Sequence, residues 1–124
     1  MIREIKFEFI WKKDSTIVKQ SLTLDEIIGT VAHPRRHGKN MPLIAKRQFT
    51  GLKDKNGVEI YEGDIVRDSN FVEGCNHEVD MLDHSGEWIM VDSISGYAEP
   101  LCDYRSSCEV IGNIHQNPEL LNDK

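Results

Sequence analysis

The sequence predicts a mainly β chain, α+β overall. It reads as an SH3-like small β-barrel or a strongly bent antiparallel sheet, with an N-terminal strand pair and a short helix. Three observations predict this. Apolar residues alternate with a period of two in Ile5–Trp11. Turn-forming clusters, Asp54-Lys55-Asn56-Gly57 and Glu62-Gly63-Asp64, interrupt β-branched and aromatic segments. Helical signals are confined to two brief stretches. With 124 residues the chain suits one domain with a modest core, read as residues 1–124 with an N-terminal α/β extension (1–42) and a β-barrel core (43–124).

The elements follow in order. Ile5, Phe7, Phe9 and Trp11 share one face of a half-buried strand. The segment STIVKQSL pairs with it through a turn near Lys13-Asp14. Thr23 and Glu26 have capping-box spacing, which opens a short helix from Leu24 to about Val31, weakened by Gly29. AHPRRHGKNMP reads as an exposed loop or as a linker. LIAKRQF suits a strand, and Asp54 with Asn56-Gly57 makes a turn, because Asp accepts backbone N–H bonds and Asn-Gly tolerates positive φ. Gly63 inside an extended run marks a bulge or sharp bend, with Asp64 bonding backbone across it before Ile65-Val66 start the next strand. HEVDML and EWIMVDSI form a hairpin through DHSG, with Val79 and Met81 on one face. SGYAEPLCDYRSS is irregular, and CEVIGNI is a last strand broken by Gly112. Asn117-Pro118-Glu119 caps and starts a one- or two-turn helix.

Composition excludes several classes. No apolar run approaches the roughly 20 residues of a membrane-spanning helix. MIREIKFEFIWKK lacks the apolar core of a secretory signal, so cytoplasm is the expected compartment. Cys75, Cys102 and Cys108 form no C-x-x-C and are expected as free thiols. The net charge of −6 is unevenly spread. Residues 1–32 balance, residues 33–53 hold six bases and no acid, and residues 54–124 hold sixteen acids against four bases. An acidic body repels nucleic acid at long range, while one basic segment can still contact phosphates.

Two blocks, QFTGLKDKNGVEIYEGDIV and EVIGNIHQNPELL, resemble the YopX family, small proteins encoded in bacteriophages and prophages. The resemblance is carried by Gly51, Leu52, Asp54, Asn56, Gly57 and Ile60–Val66, then by Val110–Ile114 and Asn117–Leu121. IKFEFIWKK looks like the family's opening, whereas residues 12–42 depart most from it. The resemblance implies a mainly β, SH3-like fold with α/β additions and supplies no biochemical activity. Its recurring residues, Gly51, Asp54, Asn56, Gly57, Gly63, Asp64, Gly112, Asn113, Asn117 and Pro118, are those a backbone needs for turns.

Cys75, His77, His84, Cys102 and Cys108, with His33 and His37 apart, match no standard zinc spacing. Incidental thiols and surface imidazoles are the expected reading. Glu62 and Asp64 share a strand face, as an acid/base pair would, but a turn-capping Asp64 and a solvated Glu62 explain them as well. No nucleophile context appears, and GLKDKNG lacks the register of a phosphate-cradling loop. Catalytic residues, metals and cofactors are therefore expected to be none. The sharpest candidate is an anion or nucleic-acid contact through Arg35, Arg36, Lys39, Lys46, Arg47 and Lys53. Trp11 and Trp88 are expected in the core, and Tyr97 and Tyr104 on the surface of the irregular region. The expected function is a non-enzymatic accessory protein that contacts protein partners and self-associates, with nucleic-acid binding through loop 33–53 as the alternative.

Overall fold

The computed structural model describes residues 5–23, 42–71 and 76–121. The expected helix over 24–31 and Arg35, Arg36, Lys39, His33, His37 and Cys75 lie outside them. Among the described residues the strands are β1 (Lys6–Lys13), β2 (Thr16–Thr23), β3 (Leu43–Lys53), β4 (Glu59–Tyr61), β5 (Asp64–Asp68), β6 (His77–Met81), β7 (Trp88–Asp92), β8 (Ala98–Pro100) and β9 (Cys108–Asn113). They form two antiparallel sheets, ordered β2-β1-β3-β4 and β8-β7-β6-β5-β9. The mainly β class is as expected. Barrel closure would require the outer strands of a sheet to pair. The outer strands β2 and β4, and β8 and β9, are not hydrogen-bonded neighbours, so neither sheet is a closed barrel.

Contacts divide the chain into two compact units, residues 1–49 and 50–124, so the division falls inside β3. In the first unit β1 pairs with β2 along its whole length, from Lys6↔Thr23 to Lys13↔Thr16. The hairpin turns at Asp14, whose φ of 55° is one that Asp tolerates better than most residues. Phe9, Trp11 and Leu22 form a small core, with Phe7 and Val18 packed on it. Burying each such side chain contributes about 1.5–3 kcal/mol. Ile10, on the opposite face of the strand, is also fully buried. The middle of β1 is thus covered on both faces rather than half-buried as its alternation suggested.

In the second unit Ile60, Val66, Val79, Met90, Leu101 and Cys108 form the core, with Leu52, Phe71, Trp88, Tyr104 and Val110 against it. Trp88 is thus partly buried against the core, whereas Trp11 is fully part of the small core of the first unit. The segment read as irregular contains β8 and a 3₁₀ turn, Leu101–Asp103, that buries Leu101 completely. Pro118–Leu121 is also 3₁₀, a single short turn. Val79 points into the core as expected, but Met81 is exposed at the end of β6.

The turns of this unit are held by buried polar side chains. The Asp54 carboxylate accepts the N–H groups of Asn56 (2.8 Å) and Val58 (2.9 Å) within its own turn, and that of Val110 (2.9 Å) in β9. At the next turn Asp64 accepts the Tyr61 N–H at 2.8 Å. Here Gly63 has φ +83°, a left-handed value that costs an L side chain strain. The Gly63 N–H donates to the Val79 carbonyl and its own carbonyl accepts the Ile114 N–H. The chain thereby leaves the first sheet as β4 and enters the second as β5, the glycine corner that the sequence indicated. Asn113 Oδ1 accepts the His115 and Gln116 N–H groups, both at 2.9 Å.

Gly112 is required for a different reason. A Cβ there would lie 2.6 Å from the Asn117 side-chain oxygen. Gly112→Ala is therefore expected to destabilise the protein by about 1–3 kcal/mol, measured by urea denaturation. The same substitution in an Asn117→Ala background is expected to cost clearly less, since the clashing atom is gone. Equal costs in the two backgrounds would contradict the packing.

Candidate functional site

The β7–β8 turn is an apolar projection closed by its own hydrogen bonds. Asp92 Oδ1 accepts the N–H groups of Ile94 (2.7 Å) and Ser95 (3.2 Å). The Asp92 N–H donates to the Tyr97 carbonyl, the Gly96 N–H donates to the Asp92 carbonyl, and the Tyr97 N–H donates to Ser95 Oγ. Ile94 and Tyr97 stand on this locked turn 62% and 77% exposed, the two most exposed large apolar residues described. Sequence reasoning found Tyr97 but placed Ile94 in a strand. The Asp92…Gly96 spacing was the available signal, since Asp closes turns by accepting the N–H two residues on. Tyr104, its companion in the prediction, instead packs its ring 5.3 Å from Phe71 against the core.

The described members of the predicted cation set are Lys46, Arg47 and Lys53. Lys46 and Arg47 are adjacent on β3 and so point to opposite faces. Lys46 is exposed, whereas Arg47 is 4% exposed and its Nε donates to the Glu8 carboxylate at 3.1 Å. Glu8 and Arg47 are direct cross-strand partners in β1 and β3. Such a covered guanidinium is committed to its carboxylate and is no free phosphate contact. Lys53 is exposed at the end of β3.

The model of the YopX protein family matches residues 3–122. The chain belongs to the YopX family. It is also similar to protein EF1440 from Enterococcus faecalis, known from a crystal structure, with 31% identity over 91% of this chain and 74% of that one and a TM-score of 0.45. A search of curated proteins finds no match.

Of the ten residues expected to serve turns, Asp54, Asp64 and Asn113 accept backbone N–H groups, Gly63 takes a left-handed φ, and Gly112 leaves room for the Asn117 side chain. Asp64 is buried with an oxygen on the Tyr61 N–H, which is the turn-capping reading of the Glu62/Asp64 pair. Among the described residues no three His, Cys, Asp or Glu side chains converge as metal ligands would. His77 is 1% exposed, its ring 4.6 Å from Phe71, and is not the surface imidazole expected. It shares the β6 face of Val79, a period-two relation that was readable beforehand. Cys102 is exposed and Cys108 buried. Burial, then Asp54 and Asp68, pushes the Cys108 thiol up to about 11. Burial and then Asp80 lift the Glu78 carboxyl above its usual range.

Two measurements check this electrostatic picture. The Ile94 N–H, foremost, holds the Asp92 carboxyl below its ordinary range, against an opposing effect of burial. A lowered folded pKa means that the carboxylate stabilises the turn fully above the unfolded value of about 3.9, and that this is lost as pH falls through the folded value. In an NMR pH titration the Ile94 and Ser95 amides are expected to move together with a midpoint below that of ordinary Asp. A midpoint at or above it would contradict the turn. For the thiols, iodoacetamide at pH 8 followed by peptide mass analysis is expected to label Cys102 first and Cys108 only on unfolding.

Proposed function

We propose that the protein is a non-enzymatic accessory protein of a bacteriophage or prophage, acting in the cytoplasm by protein–protein contact and self-association through the β7–β8 turn. The observation that carries this reading is the pair Ile94 and Tyr97, held in solvent by a turn whose backbone is already bonded. A rigid aromatic with few rotatable bonds loses little entropy on binding, so a preformed projection of this kind favours association. The adjacent edge strand supports side-chain contact rather than added strand pairing. β8 is only three residues long and ends in Pro100, which has no N–H to offer a partner strand.

The nucleic-acid alternative finds less support. Arg47 is committed to Glu8, and residues 50–124 carry sixteen acids against five bases. No described helix is long and apolar enough to cross a membrane.

Sedimentation velocity across micromolar concentrations tests the proposal. The wild-type protein is expected to associate with increasing concentration, and Ile94→Ser/Tyr97→Ser to shift toward monomer with an unchanged circular dichroism spectrum. A wild-type monomer throughout, or a double variant that associates as the wild type does, would overturn it.

A further inference from the structure

Three of the five basic residues in 50–124 meet at one place. Lys53 and Lys55 flank the β3–β4 turn, Arg105 and Ser106 belong to the turn preceding β9, and together with Gly51 and Asp54 they line an open depression of about 430 Å³. All three cations are exposed and none forms an ion pair with a described residue. Arg67, by contrast, pairs with Glu109 at 3.3 Å. The one carboxylate in the lining is Asp54, which is buried and accepts three backbone N–H groups. The local balance is positive in a unit that is otherwise strongly acidic.

The two turns are fixed to each other. The Lys55 N–H donates to the Cys108 carbonyl at 3.1 Å, and Asp54 accepts the Val110 N–H at 2.9 Å. On the other side, Ser107 and Cys108 donate their N–H groups to the Tyr104 carbonyl, closing the turn that carries Arg105. Ser107 Oγ also donates to the buried Asp68 at 2.6 Å. The backbones bearing the cations are thus held before any ligand arrives, which reduces the ordering cost of binding.

We propose that this depression binds a small phosphorylated ligand by its phosphate group, independently of the association reading above. Arg105 supplies a planar fork suited to two phosphate oxygens, Lys53 and Lys55 supply mobile point charges, and Ser106 supplies a hydroxyl. Ligand size is set by the surrounding charge. A phosphate confined to the depression meets the cations at contact distance, while a long polyanion must also pass the unit's acids within a screening length of about 8 Å.

The test is an amide NMR titration of the full chain with sodium pyrophosphate at constant ionic strength, with inorganic phosphate and a twelve-nucleotide single-stranded DNA as parallel arms. Pyrophosphate is expected to shift the amides of 53–57 and 104–107 saturably, with inorganic phosphate weaker at the same amides. Arg105→Ala is expected to weaken binding roughly tenfold or more, Lys53→Gln/Lys55→Gln likewise, and Arg67→Gln to leave it unchanged. These side chains are exposed, and the spectra themselves report whether each variant is folded. No saturable shift, or a shift that survives Arg105→Ala in the folded variant, would overturn the site. DNA binding tighter than pyrophosphate at these amides would overturn the small-ligand assignment.

Discussion

The buried Asp54 carboxylate fastens two separate segments of the chain. It is covered from solvent and takes three backbone N–H groups from two segments more than fifty residues apart in sequence. Its loss would take the acceptor from the Val110 N–H inside β9, at about 1–3 kcal/mol, and from the Asn56 and Val58 N–H groups of the exposed turn, which water can reach. Each side chain of this kind does the same locally. Asp64 holds the corner at which β4 becomes β5, Asp68 accepts the Asn70 N–H and the Ser107 hydroxyl, and Asn113 closes the turn after β9. The acidic character of residues 54–124 is therefore partly architectural, since several of its carboxylates serve as acceptors for backbone rather than as a field for partners.

This division of labour leaves function to what the turns present. Asp54, Gly63, Asp64 and Asn113 are occupied in bending and fastening backbone. The β7–β8 turn presents Ile94 and Tyr97, while the β3–β4 turn and the turn before β9 present cations. In both places an Asp fixes the loop and neighbouring residues face solvent. A scaffold of this kind can vary its exposed residues without disturbing the bonds beneath them.

Much of the fold was legible in the sequence. Period-two alternation found β1 and β6, and the Asp-x-Asn-Gly and Glu-Gly-Asp clusters located both turns, because turn chemistry is local and each residue's reason is its own backbone geometry. The misses share a cause in tertiary context. Ile10 lies on the polar phase of β1 and is nonetheless fully buried. Ala98-Glu99-Pro100 has no β propensity and becomes β8 only by pairing with β7. Arg47 looked like a free cation in a basic run and is opposite Glu8 once β1 and β3 pair. The convergence of Lys53 and Lys55 with Arg105 was unreadable for the same reason, because it depends on β9 returning beside the Asp54 turn.

Native-state hydrogen exchange at Asn56, Val58 and Val110 tests the central claim most directly. If one buried carboxylate fastens both segments, the three amides are protected together and open with a common free energy close to that of global unfolding. Exchange of Asn56 and Val58 at the rate of an open surface loop, while Val110 stays protected, would contradict it.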